Sequence, residues 1–294
     1  MKKNKALIVG FILPCLLTLI VMYLYPVART LVMSFFQIES VTANMSTWTF
    51  NGFGNYARIF KSPTYLVSMW NMFRIWLVGG IITLSFSLLF AVILTSGIRF
   101  KKFFRAAIYL PNVISAVALA TMWIQYVYNN DYGMLNKILT TLGLNGVKWL
   151  GTDTKFWAML FAFIFGAVGY YMLIFISGIE RIPQDLYEAA TIDGANFVQT
   201  YGSVMFPLAK PIMVTVVIMQ FIWTWNSFLL PLIITLNNPS LRTLAVGLYA
   251  LRGENVVDWT GIAAGASIAI VPVICVFIAL QRYFVDGIAG AVKS

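Results

Sequence analysis

The run Glu188-Ala189-Ala190-Thr191-Ile192-Asp193-Gly194-Ala195, which continues to Phe206-Pro207-Leu208 and Pro211, decides how the rest of the chain is read. Most of the sequence is apolar; this run is not. Glu180, Asp185, Glu188 and Asp193 are four of the ten acidic residues, and apolar stretches flank them on both sides. A polar segment between two membrane-grade stretches must sit in water. Its pattern predicts two short helices joined by a turn. Pro183 suits a first helical turn, with Gln184 and Asp185 near the positive end of the helix dipole. Asp193-Gly194 is a turn dipeptide, and Gly194 can take the left-handed conformation that closes a helix. Pro207 and Pro211 are expected to end the second helix and restart the chain as a span.

Composition sets the class. Sixty per cent of residues are hydrophobic and the mean hydropathy is +0.84, far above a soluble domain. Only 10% are charged, against about 25% in an ordinary globular chain. At ~20 apolar residues per crossing, 294 residues hold six spans with short loops. The net charge of +10 does not indicate nucleic acid. No basic helix or aromatic–basic repeat appears, and the cations cluster beside apolar runs as membrane topology requires. Cys15 and Cys275 fall inside predicted spans and read as small buried hydrophobes rather than a disulfide framework. The absence of His removes most zinc sites and His-based catalysis.

Lys2, Lys3 and Lys5 precede an apolar run from Ala6 to Ala28, which reads as an uncleaved first span that Pro14 and Pro26 can kink. The stretch from Arg29 to Arg74 is polar and mixed and is placed outside. Further spans are expected over 75–96, 106–128 (interrupted at Leu110-Pro111-Asn112), 156–178, 211–235 and 261–280. Arg99, Lys101, Lys102 and Arg105 follow the second span and mark the cytoplasmic side, which puts both termini in the cytoplasm. By whole-chain count the bias is weak, eleven inner Lys and Arg against nine outer. The cluster after the second span and the N-terminal lysines nonetheless agree. No span contains a charged residue on these boundaries. Ion-coupled carriers keep intramembrane charges for the ion, and the chain also lacks the phosphate-loop pattern G-x-x-x-x-G-K-[ST]. Energy must therefore come from a partner.

The pattern Glu188-Ala189-Ala190, three residues, Gly194 and then Pro207 closely resembles the EAA loop in permease subunits of binding-protein-dependent ABC importers. Asp193-Gly194-Ala195 followed by Pro207-Leu208 and Pro211 is similar to the carbohydrate branch, the maltose-type permeases. The resemblance runs from about Asn55 to the C-terminus, and Phe53-Gly54-Asn55-Tyr56 resembles the stretch preceding the transport core. It implies an all-α polytopic membrane protein of the type I ABC importer fold, in the plasma membrane of a prokaryote. Residues 1–74 would form a first span and external segment, 75–281 the transmembrane core with coupling loop 181–206, and 282–294 a cytoplasmic tail. Glu188, Ala189, Ala190, Asp193, Gly194 and Ala195 would then couple to an ATPase. The implied partners are a second permease subunit, two ATP-binding subunits that hold ATP and Mg, an extracytoplasmic solute-binding protein and membrane lipid. This chain would bind no cofactor and catalyse nothing itself. Asp131-Tyr132-Gly133-Met134-Leu135-Asn136 resembles the first permease type of sugar systems and the tail Gln281–Ser294 the second, so the slot stays open.

Neutral polar and aromatic residues at mid-span are the candidates for touching solute. Gln220, Trp223, Thr224 and Ser227 fall on one helical face, with Trp225 and Asn226 beside them. Asn112 and Ser115 lie in the third span, Tyr170 and Tyr171 in the fourth. A sugar needs amides to match its hydroxyls and a flat apolar face for stacking. The same residues also serve as packing between membrane helices. Gln220 and Thr224 align with positions that resemble solute-contacting ones in the maltose-type pore. The competing functions are an ion-coupled secondary transporter, or an importer permease for a polyol or glycerol phosphate.

Overall fold

The computed structural model describes residues 5–196, 199–235, 238–253 and 257–292; Lys2, Lys3, Lys293 and Ser294 lie outside the described residues. In chain order the helices are α1 (Lys5–Leu19), α2 (Tyr25–Met33), α3 (Gly54–Lys61), α4 (Pro63–Arg74), α5 (Gly80–Thr95), α6 (Lys101–Val113), α7 (Ala116–Met122), α8 (Met134–Thr141) and α9 (Lys155–Ile179). They continue with α10 (Gln184–Ile192), α11 (Thr200–Leu208), α12 (Lys210–Trp225), α13 (Leu229–Thr235), α14 (Leu244–Ala250) and α15 (Trp259–Val292). Wider π-helical turns at Ile20–Leu24 and Ile75–Gly79 join α1 to α2 and α4 to α5 without a break.

Four helices are long and apolar enough to cross a membrane: Val9–Met33, Pro63–Thr95, Lys155–Ile179 and Trp259–Gln281. Two further pairs reach that length only across a bend. Lys101–Val113 meets Ala116–Val127 at 99°, and Thr200–Leu208 meets Lys210–Trp225 at 66°. The described residues therefore offer four crossings, or six if each bent pair crosses once.

Several expected boundaries move. The helix of the second span begins at Pro63, not Ile75: Pro63 opens a helix that runs through Arg74, and the π-helical turn Ile75–Gly79 carries it on into α5. That helix therefore contains a cation. Arg74 is accommodated by stacking its guanidinium 4.1 Å from the Phe156 ring centroid. In the third span the break falls after Val113 rather than at Pro111. Ile114 is extended, and Ser115 caps the next helix by accepting from the Ala118 N–H at 3.3 Å. The fifth span ends at Trp225, since Asn226 and Ser227 leave the helix and Leu229 starts another. Cys15 and Cys275 are free and exposed rather than buried, each on an apolar helix with much of its surface uncovered by this chain.

The chain folds as two compact units, Met1–Leu66 with Gly247–Pro272 and Val67–Val246 with Val273–Ser294. In the first, Asn55 is 1% exposed. Its amide donates to the Ser34 and Phe36 carbonyls at 3.0 and 2.8 Å and fastens α3 under the strand pair Phe36–Gln37 and Thr49–Phe50. Tyr56 meets the Ser34 hydroxyl at 2.6 Å. The stretch Phe53–Tyr56 is thus a structural knot.

Arg58 holds Asp258 through two hydrogen bonds, 2.6 and 2.9 Å, and also donates to Thr260. Burial works to raise the Asp258 carboxyl, but bonds from Arg58, the Gly261 amide and Thr260, with the Arg58 charge, hold it below the usual carboxylate range. A depressed folded-state value means stability that is present above the unfolded value, about pH 3.9, and lost as pH falls through the folded one. Asp258→Asn is therefore expected to lower the melting temperature at neutral pH. Below pH ~4 the difference from wild type should shrink, as a pH series of melting curves would record.

In the second unit, α9 is the central element. Ala158, Met159, Ala162 and Met172 on it are wholly buried. Packing follows small residues, as expected where lipid removes the hydrophobic gain of helix association. A β-carbon on Gly169 would lie 2.2 Å from the Ile108 carbonyl oxygen, so α6 and α9 touch backbone to backbone. Asn112 donates to the Gly166 carbonyl at 3.2 Å one turn away, and Ser87 ties α5 to the Val168 carbonyl at 2.9 Å.

Candidate functional site

The acidic segment is built as two short helices with a defined turn. Pro183 takes the position before α10 rather than its first turn; its extended backbone (ψ 134°) launches the helix, with Asp185 in the first turn. At the other end Gly194 has φ +77°. The Ala195 N–H donates to the Ala190 carbonyl at 2.9 Å and the Gly194 N–H to the Thr191 carbonyl at 3.1 Å. This pair of bonds with a left-handed glycine is the Schellman closure, and it accounts for Gly at 194. Among the described residues nothing lies within 4 Å of where a Gly194 β-carbon would stand, so the constraint there is conformational rather than steric.

The start of the next helix is sealed reciprocally. The Asn196 N–H donates to Gln199 Oε1 and the Gln199 N–H to Asn196 Oδ1, both at 2.9 Å. An Asn followed three residues later by Gln is a capping-box pattern, a local signal of this helix start already present in the sequence. Pro207 does not end this helix. It lies in its last turn, and the chain breaks at Ala209 before Pro211 opens α12.

The surface so presented is mixed. Glu188, Ala189, Asp193 and Gly194 are exposed, Ala195 is half-buried, and Ala190 packs inward at 9% exposure. Gln184 donates to Glu188 Oε1 at 3.1 Å, which holds the carboxylate along the helix while leaving its charge uncancelled. Ile192, 85% exposed, stands beside it, uncovered by the described residues. On the inner face Tyr187 packs against Tyr201, and both rest with Ile182 on Met205, Phe175 and Ile179. Burial, then Tyr201, pushes the Tyr187 phenol up. Arg105 of the cationic cluster reaches Glu180 at 2.5 Å, so the start of α6 and the end of α9 share one end of the unit.

The mid-span candidates separate into two groups. Gln220 and Thr224 are 5% and 2% exposed, and the Gln220 amide donates to Thr224 Oγ1 at 3.0 Å. A β-carbon on Gly80 would stand 3.0 Å from the Gln220 amide, so glycine is what admits that side chain between α12 and α5. Trp223 is 43% exposed with its ring edge-on to Phe163, and Asn226 is exposed just past the helix end, its amide donating to the Ile222 carbonyl. Ser227 is not on the same helical face, because the helix has already ended. Tyr170 is half-buried against Tyr171, and Asn112 is committed to the Gly166 carbonyl. Asn136, in the loop motif, is a structural hub. It donates to the Asn130 and Val147 carbonyls and accepts from the Val147 N–H and the Trp149 indole.

Comparison with known proteins identifies the class to which this helical build belongs. Residues 83–290 match the family described as the binding-protein-dependent transport system inner membrane component, and the chain belongs to that family. It is 30% identical over 258 residues to the trehalose/maltose transport system permease protein MalF of Thermococcus litoralis, covering 87% of this chain and 86% of that one. It is 32% identical over 232 residues to the arabinooligosaccharides transport system permease protein AraP of Halalkalibacterium halodurans, covering 76% and 71%. Its fold matches a chain in the crystal structure of a bacterial ABC transporter involved in import of the acidic polysaccharide alginate, with TM-score 0.79, 17% identity and coverage of 97% and 96%. A chain of an amino acid ABC transporter matches less well, with TM-score 0.52 over 78% of this chain.

Proposed function

We propose that this chain is the permease subunit of an ATP-driven importer that moves a sugar or oligosaccharide across the cytoplasmic membrane by alternating access. The carrying observation is the element 184–208. It is a helix closed by Gly194, a reciprocally capped second helix, and a face of Glu188, Ala189, Ile192 and Asp193 left exposed by the described residues. In a member of this family, such a face is suited to docking on an ATP-binding subunit. The sugar reading is supported by relatives named for trehalose/maltose and arabinooligosaccharides, and by the better fold match to the alginate transporter than to the amino acid transporter. On this reading Lys101–Val127 crosses once as a bent span and Lys210–Trp225 carries the fifth crossing, leaving Thr200–Leu208 outside the membrane, which gives six crossings with both termini cytoplasmic. The partners would be a second permease, two ATP-binding subunits that carry ATP and Mg, and a solute-binding protein outside.

Secondary transport is disfavoured by the same helices. None of the six candidate spanning segments contains Asp or Glu, so no carboxylate is available at membrane depth for a coupling proton or sodium ion. Co-purification of the complex, with a screen of sugars, polyols and glycerol phosphates on its binding protein, tests the assignment. Retention of ATP-binding subunits and a sugar hit support it; a hit confined to amino acids or ions contradicts it.

Within the pathway, Trp223 and Asn226 are assigned to the solute and the buried Gln220–Thr224 pair to holding α12 against α5. Trp223→Ala and Asn226→Ala are each expected to raise the KM for uptake several-fold with the melting temperature unchanged. Gln220→Leu should instead lower the melting temperature, since it leaves Thr224 and the Gly80 seam mismatched. Uptake kinetics beside thermal unfolding separate the two assignments.

A further inference from the structure

On the flank of α9, an apolar groove of about 710 Å³ runs between α5, α6 and the turn after α7. Phe86, Phe90, Ile108, Pro111, Phe161 and Phe165 are among its walls. All of them lie in helices of membrane-spanning composition. Water has no place in such a groove, and its walls offer almost nothing polar to bind a sugar.

The walls include Ala107 and Ile108, about two turns along α6 from Lys101, and extend the other way to Leu135 and Trp149 past the end of the third span. On α6, Lys101, Phe104, Ile108 and Pro111 recur at three- and four-residue spacing and form one stripe along the helix. Ile108 and Pro111 line the groove; Phe104 is 43% exposed one turn before them, and Lys101 is exposed a turn earlier still. At ~1.5 Å per residue, Lys101 stands roughly 10 Å along the axis from Ile108. Phe100 and Phe103, 78% and 68% exposed, flank the lysines, the alternation of cation and bare aromatic expected of a helix start at headgroup level.

The charges there are unspent. Among the described residues Arg105 pairs with Glu180, whereas Arg99, Lys101 and Lys102 have no carboxylate partner, and the first turn of α6 contains no acid. Arg105 Nε is buried without an acceptor.

We infer that this groove seats one acyl chain of an anionic phospholipid whose phosphate is held by Arg99, Lys101 and Lys102. The charge complementarity selects the occupant: a neutral lipid or an apolar partner helix would fill the groove but leave three adjacent cations unanswered. Anionic lipids of the cytoplasmic leaflet answer them, at roughly fivefold in affinity per basic residue. The inference adds a lipid to the importer reading and rests only on the cluster facing the cytoplasm.

The test uses the assembled complex in nanodiscs of equal phosphatidylglycerol and phosphatidylcholine with identical chains, followed by native mass spectrometry of retained lipid. The wild-type complex is expected to retain phosphatidylglycerol preferentially. Combined Arg99→Gln, Lys101→Gln and Lys102→Gln should erase that preference, falling roughly fivefold for each charge removed. Ala107→Trp, at an exposed groove-wall position, leaves the charges in place and should reduce retention of both lipids; Ala107→Leu is the milder version. No preference in the wild type, or a preference untouched by the glutamines, overturns the inference. So does lipid retention unaffected by both groove substitutions, or cross-linking that finds a partner subunit's helix in the groove. Loss of lipid with ATP-dependent uptake still measurable would support the inference while leaving the importer reading intact.

Discussion

Gly194→Val is expected to cut ATP-driven uptake roughly tenfold or more while the chain still reaches the membrane. The turn holds residue 194 at φ +77°. A side chain in the left-handed region costs ~1–2 kcal/mol, and a β-branched one is a steric outlier there. The chain relieves that strain by leaving the turn, which breaks the bonds from Ala195 to Ala190 and from Gly194 to Thr191 and re-aims α11. If only the correctly angled pair of helices docks, the competent fraction falls by roughly tenfold or more. Gly194→Asn is the control, because Asn tolerates the left-handed region and open space awaits its β-carbon. Retained ATPase subunits with normal uptake in Gly194→Val would show that the turn does not set the docked geometry. Uptake lost equally in Gly194→Asn would show that bulk rather than conformation matters.

Gly169→Val is expected to damage the fold itself. The added β-carbon would stand 2.2 Å from the Ile108 carbonyl oxygen and 2.6 Å from Tyr109 Cα. Both are backbone atoms, so no rotamer change relieves the clash and α6 must move away from α9. That movement would also cost the Asn112–Gly166 bond. Overpacking of this kind costs ~1–3 kcal/mol or more, or roughly 3–10 °C in melting temperature for a chain of this size. Gly202→Ala, where nothing lies within 4 Å of the new atom, should be nearly neutral. Melting curves of the purified complexes compare the two; equal stability would mean that the α6–α9 contact is not tight.

Membrane residence, the polar break and its two-helix form were legible because they follow from composition and from strong local chemistry. An apolar run has one way to satisfy its backbone in lipid, and Asp193-Gly194 has few conformations to choose between. The break in the third span was misplaced because Pro111 is the louder signal, yet a proline inside a helix can be tolerated where neighbours re-satisfy the freed carbonyl. The actual break lies at Ile114 and Ser115, fixed by a single hydroxyl cap. The second span was cut short at Arg74 because a cation reads as a boundary. Its partner, the ring of Phe156, lies 82 positions away in the sequence and is invisible locally. Depth along α12 was the hardest to read. Gln220, Trp223 and Thr224 share a face by spacing, but the packing of Gly80 against Gln220 decides which of them is covered.

The central claim is that Glu188 and the helix carrying it transmit ATP-driven work to a solute pathway. Proteoliposomes with the purified complex, its binding protein outside and a labelled oligosaccharide that the binding protein retains, measure this directly. Uptake is expected to require both the binding protein and ATP on the cytoplasmic side, to survive an uncoupler, and to disappear in Glu188→Lys. Uptake that proceeds without ATP, collapses with the ion gradient and is unchanged in Glu188→Lys would contradict the account.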